Sequence, residues 1–318
     1  MSEFLRKPSW SYSQFNMFTE CKRQYFYDKY WSVLPDEIKW EAWRLKYMTS
    51  LPMLKGTCVH YALKRCILDY KQDGRHHSLN DAIYLFKKNF REKYNESFYG
   101  HWKNPKKFGK KMQEVCILFE HYYNIKDTLE KAQATEEEGV LAITKLWESP
   151  IWKRIFFTPY DDFLTIDEEN FPNFNLTHNY LPAKYENFKD ITVYSVIDLA
   201  LKYNNTVRII DWKTGRRTPG NKLQLAVYAL YANYTWKYEI DKIKFYLCFL
   251  GSKTEICQEE INIPTLKSCY DIILSSYKEM VELFNFGNPS IDDFPKCESD
   301  FRCENCRFRA LCGVEKYV

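Results

Sequence analysis

Glycine is scarce in this sequence, at 10 of 318 residues, against a usual share of about 7%. That excludes collagen-like, linker-rich and disordered chains, and it speaks against an all-β fold, which needs glycine at many turns. Long hydrophobic runs are missing too: none approaches the roughly 18 apolar residues of a membrane span, so no membrane partner is expected. The opening Met1-Ser2-Glu3-Phe4-Leu5-Arg6 has no apolar stretch of the kind that directs secretion. The expected location is therefore intracellular, in the cytoplasm. A strong charge of one sign is also absent. With a formal net charge of only +4, contact with a polyanion must rest on local patches. What the chain does have is apolar matter, 45% hydrophobic and 18% aromatic residues, enough for a full core without covalent staples. Its length fits one large domain or two smaller ones.

Eleven cysteines then become informative, because thiols stay reduced inside cells and a cluster of them points to metal or catalysis. Cys58, Cys66, Cys116, Cys248, Cys257, Cys269 and Cys297 are scattered, mostly among apolar neighbours, and read as small buried hydrophobes. The other four are Cys21 near one end and Cys303, Cys306 and Cys312 near the other.

The apolar periodicity predicts a helix capped by Ser11 and Gln14 and running to about Tyr30, then a Trp-rich connector, then a second helix opened by Gly56-Thr57. From Gly74 the pattern stays helical to about Pro159, with a basic stretch at Lys103 to Lys111, and it changes near His178. Thr192 to Leu201 and Val207 to Asp211 read as strands joined by an Asn204-Asn205 hairpin turn. Leu223 to Tyr234 reads as a helix and Ile243 to Leu250 as a buried strand, and Pro264 opens a last long helix. The order is that of a mixed α/β fold. The expected organisation is an N-terminal helical region (1–73), a large helical insertion (74–177) and an α/β core (178–318).

The sharpest chemical signal is Ile210-Asp211-Trp212-Lys213. Strand side chains alternate, so Asp211 and Lys213 share a face, and the hairpin brings Asp198 within reach. Two convergent carboxylates suit a hard divalent cation such as Mg²⁺. A neighbouring lysine can hold or activate the attacking water, whose pKa the metal lowers. Asp-x-Lys alone is as readily a salt-bridged strand end. His60, in Gly56-x-x-x-His60, is a candidate third ligand if its helix meets the strand end. Otherwise it is an ordinary helical histidine. Gln224 and Tyr228, at i and i+4, share one helix face, either as ordinary packing or as a hydrogen-bonding pair beside a scissile phosphate.

Taken in this order, the motifs resemble the RecB-like branch of the PD-(D/E)xK nuclease superfamily. The resemblance implies a restriction-endonuclease-like mixed sheet flanked by helices. It also implies a metal held by His60, Asp198, Asp211 and the Trp212 carbonyl, with Lys213, Gln224 and Tyr228 completing the catalytic set. It matches Glu186 to an acidic residue one strand earlier. Ile197 departs from the proline of the superfamily name, and Ser195 from a common glycine. The likeness covers about Ser9 to Tyr70 and Lys184 to Gly313 and leaves the helical insertion unmatched.

Cys303-x2-Cys306-x5-Cys312 presents three thiolates from one tight segment, with Cys21 as the candidate fourth and Cys297 as its competitor. Four thiolates suit Zn²⁺ or an iron–sulfur cluster alike. The chain is similar here to AddB-type and CRISPR-associated exonucleases, and that likeness implies a [4Fe–4S] cluster that staples the N- and C-terminal segments. Gly215 to Leu223 fails as a phosphate-binding loop, because Asn221 and Leu223 stand where Lys and Ser or Thr are needed. Any helicase must then be a separate partner chain. Lys106, Lys107, Lys110 and Lys111, set among aromatics, suit a nucleic-acid-gripping surface or a solvated helix start, and Arg216 and Arg217 follow the Asp-Trp-Lys strand. The expectation is an Mg²⁺- or Mn²⁺-dependent deoxyribonuclease, exonuclease by resemblance, that acts on single-stranded or end-containing DNA in repair, recombination, replication or defence. The alternatives are a catalytically silent DNA-binding scaffold or a zinc-stapled regulatory module.

Overall fold

A computed structural model describes residues 5–167, 172–177, 183–251 and 254–314. His178, where the periodicity changes, lies outside them. The chain divides into two compact units: the first takes Met1–Met48, Asn173–Ser195 and Lys267–Val318, the second Thr49–Pro172 and Val196–Leu266.

Along the chain, the short strand β1 (Trp10–Ser11) leads into α1 (Tyr12–Glu20), whose first turn is capped by Ser11 accepting from the Gln14 amide. The expected single helix to Tyr30 is broken at Cys21, which is extended (φ −160°, ψ 108°), so α2 (Lys22–Lys29) starts afresh. Then come α3 (Asp36–Lys46), β2 (Met48–Thr49) and α4 (Leu51–Asp73). Helix α4 starts five residues before the expected Gly56, with Pro52 in its first turn, where a missing N–H does no harm. The helices α5 (Leu79–Phe98), α6 (Phe119–Tyr122), α7 (Thr128–Glu148) and α8 (Pro150–Ile155) follow, with β3 (Ile117–Leu118) between α5 and α6. The stretch 74–177 then turns extended, in β4 (Phe163–Ile166) and β5 (Asn173–Thr177).

Thr192 to Leu201 is not one strand. It splits into β6 (Asp190–Tyr194) and β7 (Leu199–Tyr203), which belong to different sheets. The Asn204-Asn205 turn joins β7 to β8 (Thr206–Lys213), as its sequence predicts. Helix α9 (Gly220–Trp236), β9 (Ile243–Leu250), β10 (Thr254–Glu259), α10 (Ile263–Phe284) and α11 (Asp300–Glu304) complete the order. The result is a mixed α/β fold of sheets flanked by helices, consistent with the restriction-endonuclease-like class. Among the described residues no helix is long and apolar enough to cross a membrane.

In the first unit β6 pairs with β1 in parallel and with β5 antiparallel. The second unit carries a five-stranded sheet in the order β10-β9-β8-β7-β4. Only β8 and β9 run parallel, and the crossover such a pair needs is α9. The core of this unit packs α4, α5, α7 and α8 against the sheet through Leu63, Phe86, Leu146, Trp152 and Trp212. Gly139 of α7 is required there, since a Cβ would sit 2.1 Å from the Phe86 ring.

Candidate functional site

The site is assembled at the C-terminal end of β8. Alternation sends Ile210 and Trp212 to one face of the strand, where Trp212 meets Trp152 with ring centroids 6.3 Å apart. It sends Asp211 and Lys213 to the other, with Lys213 Nζ 2.7 Å from Asp211 Oδ2. Four side chains close a ring. Lys213 Nζ donates to Gln224 Oε1 (2.7 Å), Gln224 Nε2 donates to the Tyr228 hydroxyl (2.7 Å), and that hydroxyl donates to Asp211 Oδ1 (3.0 Å). One turn of α9 separates Gln224 from Tyr228, so the helix presents both to the strand. Their hydrogen bonds go to Lys213 and Asp211 themselves.

Asp198 lies just before β7, where continuation of the hairpin register sets it opposite Asp211. Its Oδ2 accepts from the Trp212 amide (2.7 Å), and its Oδ1 is 3.2 Å from His60 Nδ1. The other nitrogen of His60, Nε2, lies 3.1 Å from the Trp212 carbonyl oxygen. Gly56, one turn earlier on α4, lets the helix approach the loop after β8, since a Cβ there would be 3.0 Å from Thr214 Oγ1. Thus the spacing Gly56-x-x-x-His60 has a physical basis: the glycine admits the loop and the histidine reaches the strand.

The electrostatics follow from crowding charge into a buried place. Burial, and then the neighbouring Asp198 carboxylate, push Asp211 up to about 6. Asp198 is held below its ordinary value, because against burial it has the His60 charge, its hydrogen bond to His60 and the Trp212 amide. Burial pulls His60 down, but the Asp198 carboxylate outweighs it and the imidazole rises to about 9. Both ring nitrogens of His60 face acceptors, which suits an imidazolium. Burial and then Asp211 lift the Tyr228 phenol well above its usual range, so it stays a donor.

The donor set fits a hard divalent cation. Asp211 Oδ2 is buried and, despite the nearby ammonium, has no aligned hydrogen-bond donor. The second carboxylate and the Trp212 carbonyl are also oxygen donors. Their partners within the chain are cations and N–H groups, and no three His, Cys, Asp or Glu side chains among the described residues converge on one point.

Asp167 is a residue that the sequence reading passed over. It ends the apolar run of β4, its amide donates to the Asp198 carbonyl (2.9 Å), and it lines the same cavity as His60 and Gly56. The available signal was an acidic residue directly after an apolar strand, Ile166-Asp167. Glu186 belongs to the first unit, where it is exposed and paired with Lys189 at 2.7 Å. Of the basic residues, Lys106, Lys107, Lys111 and Arg216 are exposed, whereas Lys110 is paired with Glu96 and Arg217 with Glu259.

Within the first unit, Cys21, Cys297, Cys303, Cys306 and Cys312 line one cavity. Cys303 Sγ is 3.6 Å from Cys297 Sγ, and the Phe308 amide donates to Cys306 Sγ (3.4 Å). Lys296, Arg302 and Arg309 line the same cavity, cations that would offset thiolate charge. Burial pushes Cys306 up to about 12 and also raises Cys312, so these thiols are protonated without a metal. Soft sulfur donors fit iron or zinc. The cavity they share with these cations is small, about 20 Å³.

The family model of the PD-(D/E)XK nuclease superfamily matches residues 9–313. The chain belongs to this superfamily, and membership implies a nuclease, of a kind that typically uses Mg²⁺ or Mn²⁺. No curated protein matches the chain.

Proposed function

We propose that this chain is a metal-dependent deoxyribonuclease whose site is the end of β8, with His60, Asp198, Asp211 and the Trp212 carbonyl as ligands of Mg²⁺ or Mn²⁺. The observation that carries this reading is the closed ring of Lys213, Gln224, Tyr228 and Asp211 beside the Asp198–His60 pair. A bound divalent ion supplies Lewis-acid stabilisation and a water of lowered pKa. Lys213, fixed by Gln224 and Asp211, orients that water and offsets charge on the phosphate. Tyr228 and Gln224 hold the lysine and the carboxylate in one geometry. Arg216, Lys106, Lys107 and Lys111 supply phosphate contacts. Asp167 is a further acidic residue at the rim. Action from DNA ends, a role in repair, recombination, replication or defence, and a separate helicase partner rest on the resemblance to RecB-like exonucleases.

The cysteine cavity is assigned to a [4Fe–4S] cluster held by Cys21, Cys303, Cys306 and Cys312, on its donor set, its cationic lining and that same resemblance. The same soft sulfur donors also suit the second reading, a single zinc ion. Incubation of the purified protein with end-labelled single- and double-stranded DNA, with Mg²⁺, Mn²⁺ or EDTA, tests the activity. Metal-dependent product is the expected result, and intact DNA in every lane leaves the silent-scaffold reading.

A further inference from the structure

The first unit carries a groove of about 1020 Å³, at the upper end of the range of about 300–1,000 Å³ for small-molecule sites. Its lining is aromatic and cationic. Trp31, Trp40 and Phe286 line it together with Lys7 and Lys39, and no carboxylate side chain lines it among the described residues. Trp40 is 55% exposed and Phe286 54%, although rings of this size are normally buried. Trp40 belongs to a cluster with Trp31 (centroids 5.9 Å apart) and Trp43 (6.2 Å), and the Lys39 ammonium lies 5.3 Å from the centre of its ring.

The backbone adds a second, independent observation. Asn285, Phe286 and Gly287 follow one another in the left-handed region, with φ of 44°, 53° and 94°. For a bulky aromatic residue that conformation is an outlier, and strain of this kind collects at functional sites. Its effect is to lay the Phe286 ring flat on Tyr185, with centroids 5.2 Å apart and planes 15° apart, while half of the ring stays in solvent. A turn built only for packing would bury it.

From these features we propose that the groove binds single-stranded DNA, with unstacked bases on Trp40 and Phe286 and phosphates near Lys7 and Lys39. Every base has a π-face, so aromatic platforms hold single strands without regard to sequence, and ammonium groups follow the backbone. A duplex keeps its bases stacked and cannot use the platforms. Charge favours a polyanion over a protein segment: Lys7 has no ion pair among the described residues, and Lys39 has only the exposed Asp36. This inference deepens the nuclease reading and rests on it for the choice of DNA as the strand.

The test is binding of fluorescein-labelled oligodeoxythymidine to the full chain in EDTA, followed by anisotropy, with blunt duplex DNA in parallel. Trp40→Ala and Phe286→Ala are each expected to weaken oligodeoxythymidine binding about tenfold and to leave duplex binding unchanged. Trp40→Phe recovers most of the loss, and the wild-type tryptophan fluorescence is quenched on addition of the oligonucleotide, a readout that needs no variant. Wild-type affinity in both alanine variants, which leaves the groove as a protein interface, overturns the proposal, as does an equal loss for duplex. The nuclease reading fails separately, if wild-type protein binds oligodeoxythymidine through Trp40 yet cleaves no DNA with Mg²⁺ or Mn²⁺.

Discussion

Replacing Asp211 by Asn removes one negative charge from a buried pair of carboxylates and keeps the shape of the side chain. Asp211 is 2% exposed and rises from an ordinary 3.8 to about 6, through burial and then Asp198. At about 1.4 kcal/mol per pH unit, keeping it ionised in the fold at pH 8 costs roughly 3 kcal/mol. The sign follows from linkage. A carboxyl raised on folding contributes stability that is full below about pH 4 and is lost as the pH rises through about 6. The Asn variant carries no such penalty, and its amide oxygen can still face Lys213. In EDTA, Asp211→Asn should therefore melt above the wild type at pH 8, by roughly 6–12 °C at the 2–4 °C per kcal/mol usual for a domain of 150–250 residues. The gap should shrink towards zero by pH 4. Mg²⁺ or Mn²⁺ should raise the melting temperature of the wild type and not of the variant, and cleavage should vanish. Thermal melts across pH with and without metal measure this. A variant that melts at or below the wild type at pH 8 in EDTA refutes the reasoning.

Four further outcomes are expected. Because both nitrogens of His60 face acceptors and its imidazole is raised to about 9, binding of Mn²⁺ at pH 7 should release a proton; a calorimetric heat that does not change between buffers of different ionisation enthalpy contradicts this. Lys213→Ala should lower single-turnover cleavage by about 100-fold or more while DNA binding in EDTA is kept, and undiminished cleavage removes Lys213 from the mechanism. Gly139→Ala forces a Cβ against the Phe86 ring and should destabilise by about 1–3 kcal/mol, read by urea denaturation; a neutral effect means the ring can move. Anaerobically purified protein should contain iron, and Cys21→Ala should lose it together with thermal stability, whereas colourless protein with stoichiometric zinc gives the site to a single ion.

The candidate site at the end of β8 was legible because a strand states its geometry in its sequence. Period-two alternation alone sets Asp211 and Lys213 on one face, and the Asn204-Asn205 turn predicts the pairing that brings Asp198 near. Helix α9, strand β9 and the Pro264 start of α10 follow from periodicity and capping in the same way. The break between β6 and β7 was not legible. Thr192 to Leu201 is a single strand-like stretch rich in β-branched and apolar residues, and nothing local says that Val193 joins β1 and β5 while Leu199 joins β8. That choice is made by partners far away in the chain. The break at Cys21 was missed for a related reason, since both flanks are helical and only the backbone angles separate them. Asp167 shows the limit of motif matching: the order of motifs along the chain did not point to it, while the neighbourhood of His60 holds it.

The composition of the two units bears on how the chain is made. The second unit draws on two stretches that end at Leu266, while the first needs residues from Lys267 onward before it can close. Trp10 Nε1 donates to Ser276 Oγ across 266 positions, and Arg307 pairs with Asp28 across 279. At about 5–20 residues per second on the ribosome, residues up to Met48 wait roughly 10–45 s for Lys267 to appear. During that time Trp10, Phe18, Tyr25 and Phe26, all buried at the end, have no finished core to enter. Non-local closure of this kind is slow and prone to aggregation. Recovery of folded protein should thus depend on chaperones that shield the early segment, and premature stops before Lys267 should leave the second unit as the protease-resistant remnant.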